Sequence, residues 1–113
     1  AFVDHVAAST RKLIVMISSR MGSIGSNTSG GSFDYRSSKA ALNAITKSLA
    51  IDLAGSGIAV IAVHPGWVKT DMGGSGATLS ADDSVGRLRA LIERSGLAES
   101  GRFYNYDGAE LPW

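Results

Sequence analysis

The sequence predicts an α/β fold built on a parallel sheet, and three observations carry that prediction. Leu13-Ile14-Val15-Met16-Ile17 and Ile58-Ala59-Val60-Ile61-Ala62-Val63 are short, continuous apolar runs rich in β-branched residues. Strands covered on both faces read this way. The residues between the two runs carry the period of one long helix. Strand, helix and strand in that order give a right-handed crossover with the two strands parallel.

Composition fits one globular domain. The chain has 113 residues, 44% hydrophobic and 19% charged, with a net charge of +1, which excludes a disordered segment. No basic block points to nucleic acid, and no apolar run is long enough to span a membrane. Cysteine is absent, which excludes thiolate metal sites and leaves the redox compartment unread. His5 and His64 are too few and too isolated to suggest a metal site. No secretion signal precedes the domain, so the expected location is the cytoplasm, and the Asn27-Thr28-Ser29 sequon is discounted.

Taken in order, residues 1–9 read as the end of a helix and Thr10-Arg11-Lys12 as a polar turn. The 13–17 strand hands over to Ser18-Ser19. In open α/β sheets the ligand crevice lies at the carboxyl ends of the strands. A serine there is placed to hydrogen-bond a substrate oxygen, or simply to cap the strand. Residues 20–33 are a Gly- and Ser-rich loop, which shapes a pocket or merely connects. Its Gly-x-x-Gly is not a dinucleotide fingerprint, because it does not join a first strand to a first helix. Residues 34–54 form a helix with Leu42, Ile45, Leu49 and Leu53 as its apolar stripe. Ala40, Ala41, Ala44 and Ala50 allow close packing, and Gly55 and Gly57 end it. After the 58–63 strand come His64-Pro65-Gly66-Trp67-Val68-Lys69-Thr70-Asp71-Met72 and a flexible stretch over 73–80. Asp82 and Asp83 open a helix that runs to about Ser95. Val85, Leu88, Leu91 and Ile92 are its apolar side and Gly96 its cap. A short third strand lies within Gly101–Gly108, ending in a turn, and Leu111-Pro112-Trp113 is an apolar tail.

The chemistry centres on Tyr35 and Lys39. In a helix, positions i and i+4 lie one turn apart on one face. A free tyrosine has a pKa of about 10. A lysine cation within roughly 4–6 Å favours the phenolate and lowers that value, so a tyrosine tuned in this way can exchange a proton near neutral pH. Alone the pair is weak evidence, since a half-buried tyrosine followed by a solvated lysine reads the same. Ser19 at one strand end, Tyr35 on the next helix and Pro65-Gly66 at the next strand end share one crevice. A Ser–His hydrolase on Ser19 and His64 lacks the Gly-x-Ser-x-Gly elbow, and a histidine before Pro-Gly reads as structural.

The motifs Ser18-Ser19, Tyr35-Arg36-x-Ser38-Lys39-Ala40-Ala41-Leu42-Asn43 and Pro65-Gly66-x-Val68-x-Thr70, in that order, resemble those of the short-chain dehydrogenase/reductase family. The likeness extends over essentially the whole chain. It is nearest to the carbonyl-reductase branch that includes sniffer and the C-factor proteins, which the closing Tyr104-Asn105-Tyr106-Asp107-Gly108 also suits. The resemblance implies Tyr35 as acid/base and Lys39 as the residue that lowers its pKa and holds the nicotinamide ribose. It implies Ser19 as the group that polarises the substrate carbonyl, with Ser18 as the alternative. It implies the backbone at Pro65, Gly66 and Val68, and the Thr70 hydroxyl, as the contacts for the nicotinamide carboxamide. The implied cofactor is NADP or NAD, with NADP preferred, and the implied partner is a small-molecule carbonyl substrate.

Two features depart from the family. Sixteen residues separate Ser19 from Tyr35, a few more than in many members, which fits an enlarged pocket loop. The family's opening strand and glycine-rich phosphate turn, its Asn-Asn-Ala-Gly strand and its helix asparagine have no counterpart. The expected fold is therefore the C-terminal half of a Rossmann-like doubly wound parallel sheet, about three strands with flanking helices. Residues 1–113 would be the catalytic half of the domain, without the cofactor-binding half. An open apolar edge on the 13–17 strand predicts marginal stability, or self-association through that edge or helix 34–54. Two functions follow: a nicotinamide-dependent carbonyl reductase represented by its catalytic half, or an inactive fragment that acts as a binding or self-associating module.

Overall fold

The computed structural model describes residues 2–113. It contains α1 (Phe2–Ala8), β1 (Leu13–Ile17), α2 (Phe33–Asp52), β2 (Ala59–His64), α3 (Ala81–Arg94), β3 (Phe103–Asn105) and β4 (Glu110–Leu111). The strands lie in the order β1-β2-β3-β4. The pairs β1–β2 and β2–β3 are parallel and β3–β4 is antiparallel. The fold class is the predicted partial Rossmann-like α/β sheet. The strand count is a correction: the third strand ends in the expected turn, and a fourth strand, Glu110–Leu111, follows it and reaches into the expected apolar tail. Residues 106–109 turn back, with Gly108 N donating to Asn105 O, so Leu111 of the expected tail pairs with Phe103.

The core is built on β2. Ile58 to Val63 are each at most 2% exposed. Ile61 and Val63 pack against Leu88 and Leu91 of α3. Ile58 and Val60, on the other face, meet Ile14, Met16, Leu49, Ala50 and Leu53, together with Val6 and Ala7 of α1. This alternation explains a run with no polar member: both faces are covered and both edges paired. β1 has the same composition but only half that environment. Its outer edge pairs with nothing among the described residues, its first four residues are half-buried, and Ile17 is exposed.

Helix α2 differs from its expected stripe. Its buried residues are Asn43, Thr46 and Ala50, whereas Ile45 is 53% exposed and Ile51 is 66% exposed. The packed face is set by the spacing 39-43-46-50. It carries two polar groups because it crosses strand ends rather than a uniform apolar surface. The helix begins at Phe33 and ends at Asp52. The chain then leaves through a 3-10 turn, Ala54–Ser56, with Gly57 in the left-handed region at φ 71.

The third helix is capped by Ser80, whose side chain accepts from Asp83 N at 3.1 Å. At its other end the cap is Ser95, not Gly96. The stretch over 73–80, expected to be flexible, is tied back by a Val68–Leu79 bridge in which Lys69 N donates to Leu79 O.

The reassigned faces predict different costs for two isoleucines. Ile61→Ala should lower the free energy of unfolding in urea by about 2–4 kcal/mol through lost burial and a cavity. Ile45→Ala, on the open face of α2, should cost less than about 1 kcal/mol. Equal losses would contradict the packing described.

Candidate active site

At the end of β1 the chain changes from burying apolar groups to presenting hydroxyls. Ser18 and Ser19 are both buried, and they do different things. Ser18 Oγ donates to Asn43 Oδ1 at 2.6 Å, so its proton is committed to α2. Ser19 caps the 3-10 turn Arg20–Gly22, its Oγ accepting from Met21 N at 3.1 Å. A hydroxyl has one donor and two lone pairs, so Ser19 keeps its O–H for another acceptor. The capping reading of the serine is therefore met without using up its donor.

Tyr35 and Lys39 lie in the first turns of α2, where sequence spacing put them. Tyr35 is 40% exposed. The Lys39 ammonium sits 5.9 Å from the centre of the Tyr35 ring and 3.5 Å from Ile17 O, so it bridges the tyrosine and the end of β1. The 3-10 turn is pressed against this part of the helix. A Cβ on Gly22 would stand 2.7 Å from Lys39 Cβ, and only glycine permits that approach.

Arg36, the residue after Tyr35, fixes the long loop. Its guanidinium donates to Gly31 O at 3.1 Å, to Met21 O at 3.3 Å and to Ser29 Oγ at 3.0 Å. One planar fork therefore holds three points of the loop against the helix that carries the tyrosine.

The third piece is the turn after β2. Gly66 has φ 87, and a Cβ there would lie 2.7 Å from Leu79 and 2.9 Å from the Tyr106 ring. Pro65 O accepts from Ser84 Oγ of α3 at 2.6 Å. Thr70 Oγ1 accepts from Gly73 N at 3.1 Å and so keeps its own O–H, while Trp67 Nε1 donates to Gly73 O at 2.8 Å.

These pieces enclose one cavity of about 970 Å3. Ser18, Ser19, Tyr35, His64, Pro65, Gly66, Val68 and Thr70 all line it. Every residue singled out from the sequence lies on its wall except Lys39, which stands behind Tyr35. Arg20, Met21, Trp67 and Met72 complete the wall. Sequence reasoning assigned no role to Arg36, Ser84 or Asn43, although Arg36 and Asn43 stand in the Tyr35 motif. Asn43 also carried a periodic signal, as a polar residue four positions after Lys39 on the packed period of the helix.

His64 also faces the cavity. Burial, reinforced by the charge of Arg20, lowers its pKa from 6.5 to about 4. The folded state thus disfavours the cation, and between pH 6.5 and 4 the unfolded chain binds more protons. Stability from this group is complete above pH 6.5 and is lost as pH falls towards 4. Unfolding measured across this window should show the loss, and His64→Gln should flatten it. An unchanged slope would contradict the assignment.

A family model described as short chain dehydrogenase matches residues 1–80. The C-signal protein of Myxococcus xanthus is 48% identical over 100 residues, covering 88% of this chain and 60% of its own length. Among solved structures, the carbonyl reductase Sniffer of D. melanogaster is 50% identical with a TM-score of 0.87, over 89% of this chain and 41% of that one. An NADPH-bound carbonyl reductase from chicken fatty liver is 38% identical with a TM-score of 0.83, over 89% and 42%. The chain spans between 45% and 60% of the first curated relatives it matches. With the family model matched through the serine pair, the Tyr35–Lys39 helix and the 65–70 turn, this chain belongs to the short-chain dehydrogenase family.

Proposed function

We propose that this chain carries the catalytic and nicotinamide-facing part of a cytoplasmic, NAD(P)-dependent carbonyl reductase, with NADP as the preferred cofactor. One observation carries the reading: Ser19, Tyr35 and the 65–70 turn border one cavity, with Lys39 one helical turn behind the tyrosine. The NADPH-bound relative supports the choice of cofactor. The residues present fit the nicotinamide end of such a molecule. The Gly66 turn lies on the cavity wall, and the Thr70 hydroxyl, which accepts from Gly73 N, has a free donor to meet a carboxamide.

In this reading, a nicotinamide cofactor held by Lys39 and the 65–70 turn would supply hydride to the carbonyl carbon of the substrate. The carbonyl oxygen accepts from Ser19 Oγ, whose proton is free. Ser18 is unsuited to that role because its proton serves Asn43. Tyr35 gives its phenolic proton to the same oxygen as negative charge develops there, and the product is the alcohol. The Lys39 cation stabilises the tyrosinate left behind and holds the ribose. In the reverse direction Tyr35 takes the alcohol proton. The substrate is a small carbonyl compound whose size is set by Met21, Trp67 and Met72 on the wall.

A second reading is a self-associating module of the same fold. It is favoured by the exposure of Phe33, Ile45 and Ile51 along α2 and by the open outer edge of β1. Sedimentation across a range of concentrations separates the two: mass that grows with concentration supports this module, and a monomer throughout removes it.

The reductase reading is tested by NADPH oxidation with a panel of aldehydes and ketones. Tyr35→Phe should lower the rate at least about 100-fold, as loss of a general acid does. Ser19→Ala should cost about 100-fold or more, as loss of an oxyanion donor does. Ser18→Ala should lose far less. A Tyr35→Phe protein with full activity would sink the proposal.

A further inference from the structure

The parallel register sets three polar residues level with one another at the carboxyl ends of the strands. Ile17 pairs with Val63 and Ser18 N donates to Val63 O, so Ser18 stands beside His64. His64 in turn pairs with Asn105. Side chains alternate along a strand. Ile14 and Met16 of β1, with Val60 of β2, face α1 and α2, so Ser18 and His64 fall on that face. Tyr104 of β3 packs towards α3, which puts Asn105 on the α2 face as well. From above, α2 brings Asn43 onto the row through the Ser18–Asn43 bond.

The row is interior and under-partnered. Asn43 is 4% exposed and Asn105 7%. Asn43 Nδ2, His64 Nδ1 and Asn105 Oδ1 are buried and have no protein partner. A buried polar group left unsatisfied keeps the full cost of its desolvation. The three are chemically complementary. The Asn43 amide donates, the Asn105 carbonyl accepts, and the imidazole nitrogen accepts when its proton sits on Nε2. The Asp107 carboxylate accepts from Ala109 N at 3.0 Å, and the Asn105 carbonyl is left as a buried acceptor. A single water among them would accept from Asn43 and donate to Asn105 and His64. Buried waters make about three such bonds. Ser18 and His64 also line the cavity, which gives the water its way in.

We propose that Asn43, His64 and Asn105 hold one internal water behind the cavity, and that this water joins the Ser18–Asn43 bond in locking the ends of β1, β2 and β3 to α2. The three are positioning residues. Ser19 follows Ser18, and Pro65 follows His64. Tyr35 lies two turns before Asn43 on the same helix. The network therefore sets the spacing between the groups of the candidate site, and it stands whether or not the chain reduces carbonyls.

Nuclear magnetic resonance on the labelled full chain tests this with water itself as the probe. The wild type should show a long-lived water cross-peak at the Asn43 side-chain amide protons, with the His64 ring proton on Nε2. Asn105→Leu should lose the cross-peak while the amide shifts of residues 59–62 stay in place. Absence of a water cross-peak in the wild type would overturn the proposal. So would a His64 proton on Nδ1, or a direct Asn43–His64 hydrogen-bond coupling. The wild-type spectrum decides even if the variant fails to fold.

Discussion

The parallel pairing of β1 with β2 is the constraint on which the rest depends. Ile17 opposite Val63 fixes where both strands stop, and so fixes where Ser19 and Pro65-Gly66 begin. A slip of one residue would turn every side chain of β1 to the other face. Ser18 would lose Asn43, and Leu13 and Val15 would leave the α3 side of the core. Helix α2 is bound to this pair by its ends and by its packed face, so Tyr35 and Lys39 are placed by the same register. Lys39 makes the link directly, reaching the carbonyl of Ile17. Groups as far apart in sequence as Ser19 and Thr70 thus share one wall.

Packing and polarity divide the work along each strand. The first residues of β1 and β2 bury methyl groups against helices on both faces. The last residues present hydroxyl, imidazole and amide groups to one another. Such polar rows are costly unless satisfied, and satisfied ones fix a single arrangement. The loop over the cavity follows similar logic. It has little apolar surface to bury, and it is held by the Arg36 guanidinium and by Gly22 against Lys39. Its shape thus follows the helix that bears the tyrosine.

Much of this was legible in the sequence. The apolar runs located β1 and β2, and the Tyr35–Lys39 spacing located the first turns of α2. The Ser, Tyr-Lys and Pro-Gly motifs, in order, pointed to the family. What periodicity could not supply was the environment. Ile45 fits an apolar stripe as well as Leu49 does, yet it faces outward, because α2 rotates to set Asn43 and Thr46 over the strand ends. The turn after β3 was legible, but only two residues follow it as a strand, so β4 was hidden inside a tail. Arg36 had no periodic signature at all, since its role depends on carbonyls of a loop whose path only the fold defines.

The central claim is that this chain by itself assembles the nicotinamide end of a reductase site. Reduced nicotinamide mononucleotide carries only that end of the cofactor, and titrating it while following backbone amide shifts tests the claim most directly. The account predicts saturable shifts confined to Ser19, Tyr35, Lys39 and residues 65–70, whatever the affinity. Shifts that leave those positions untouched, or no saturable change at all, would contradict it.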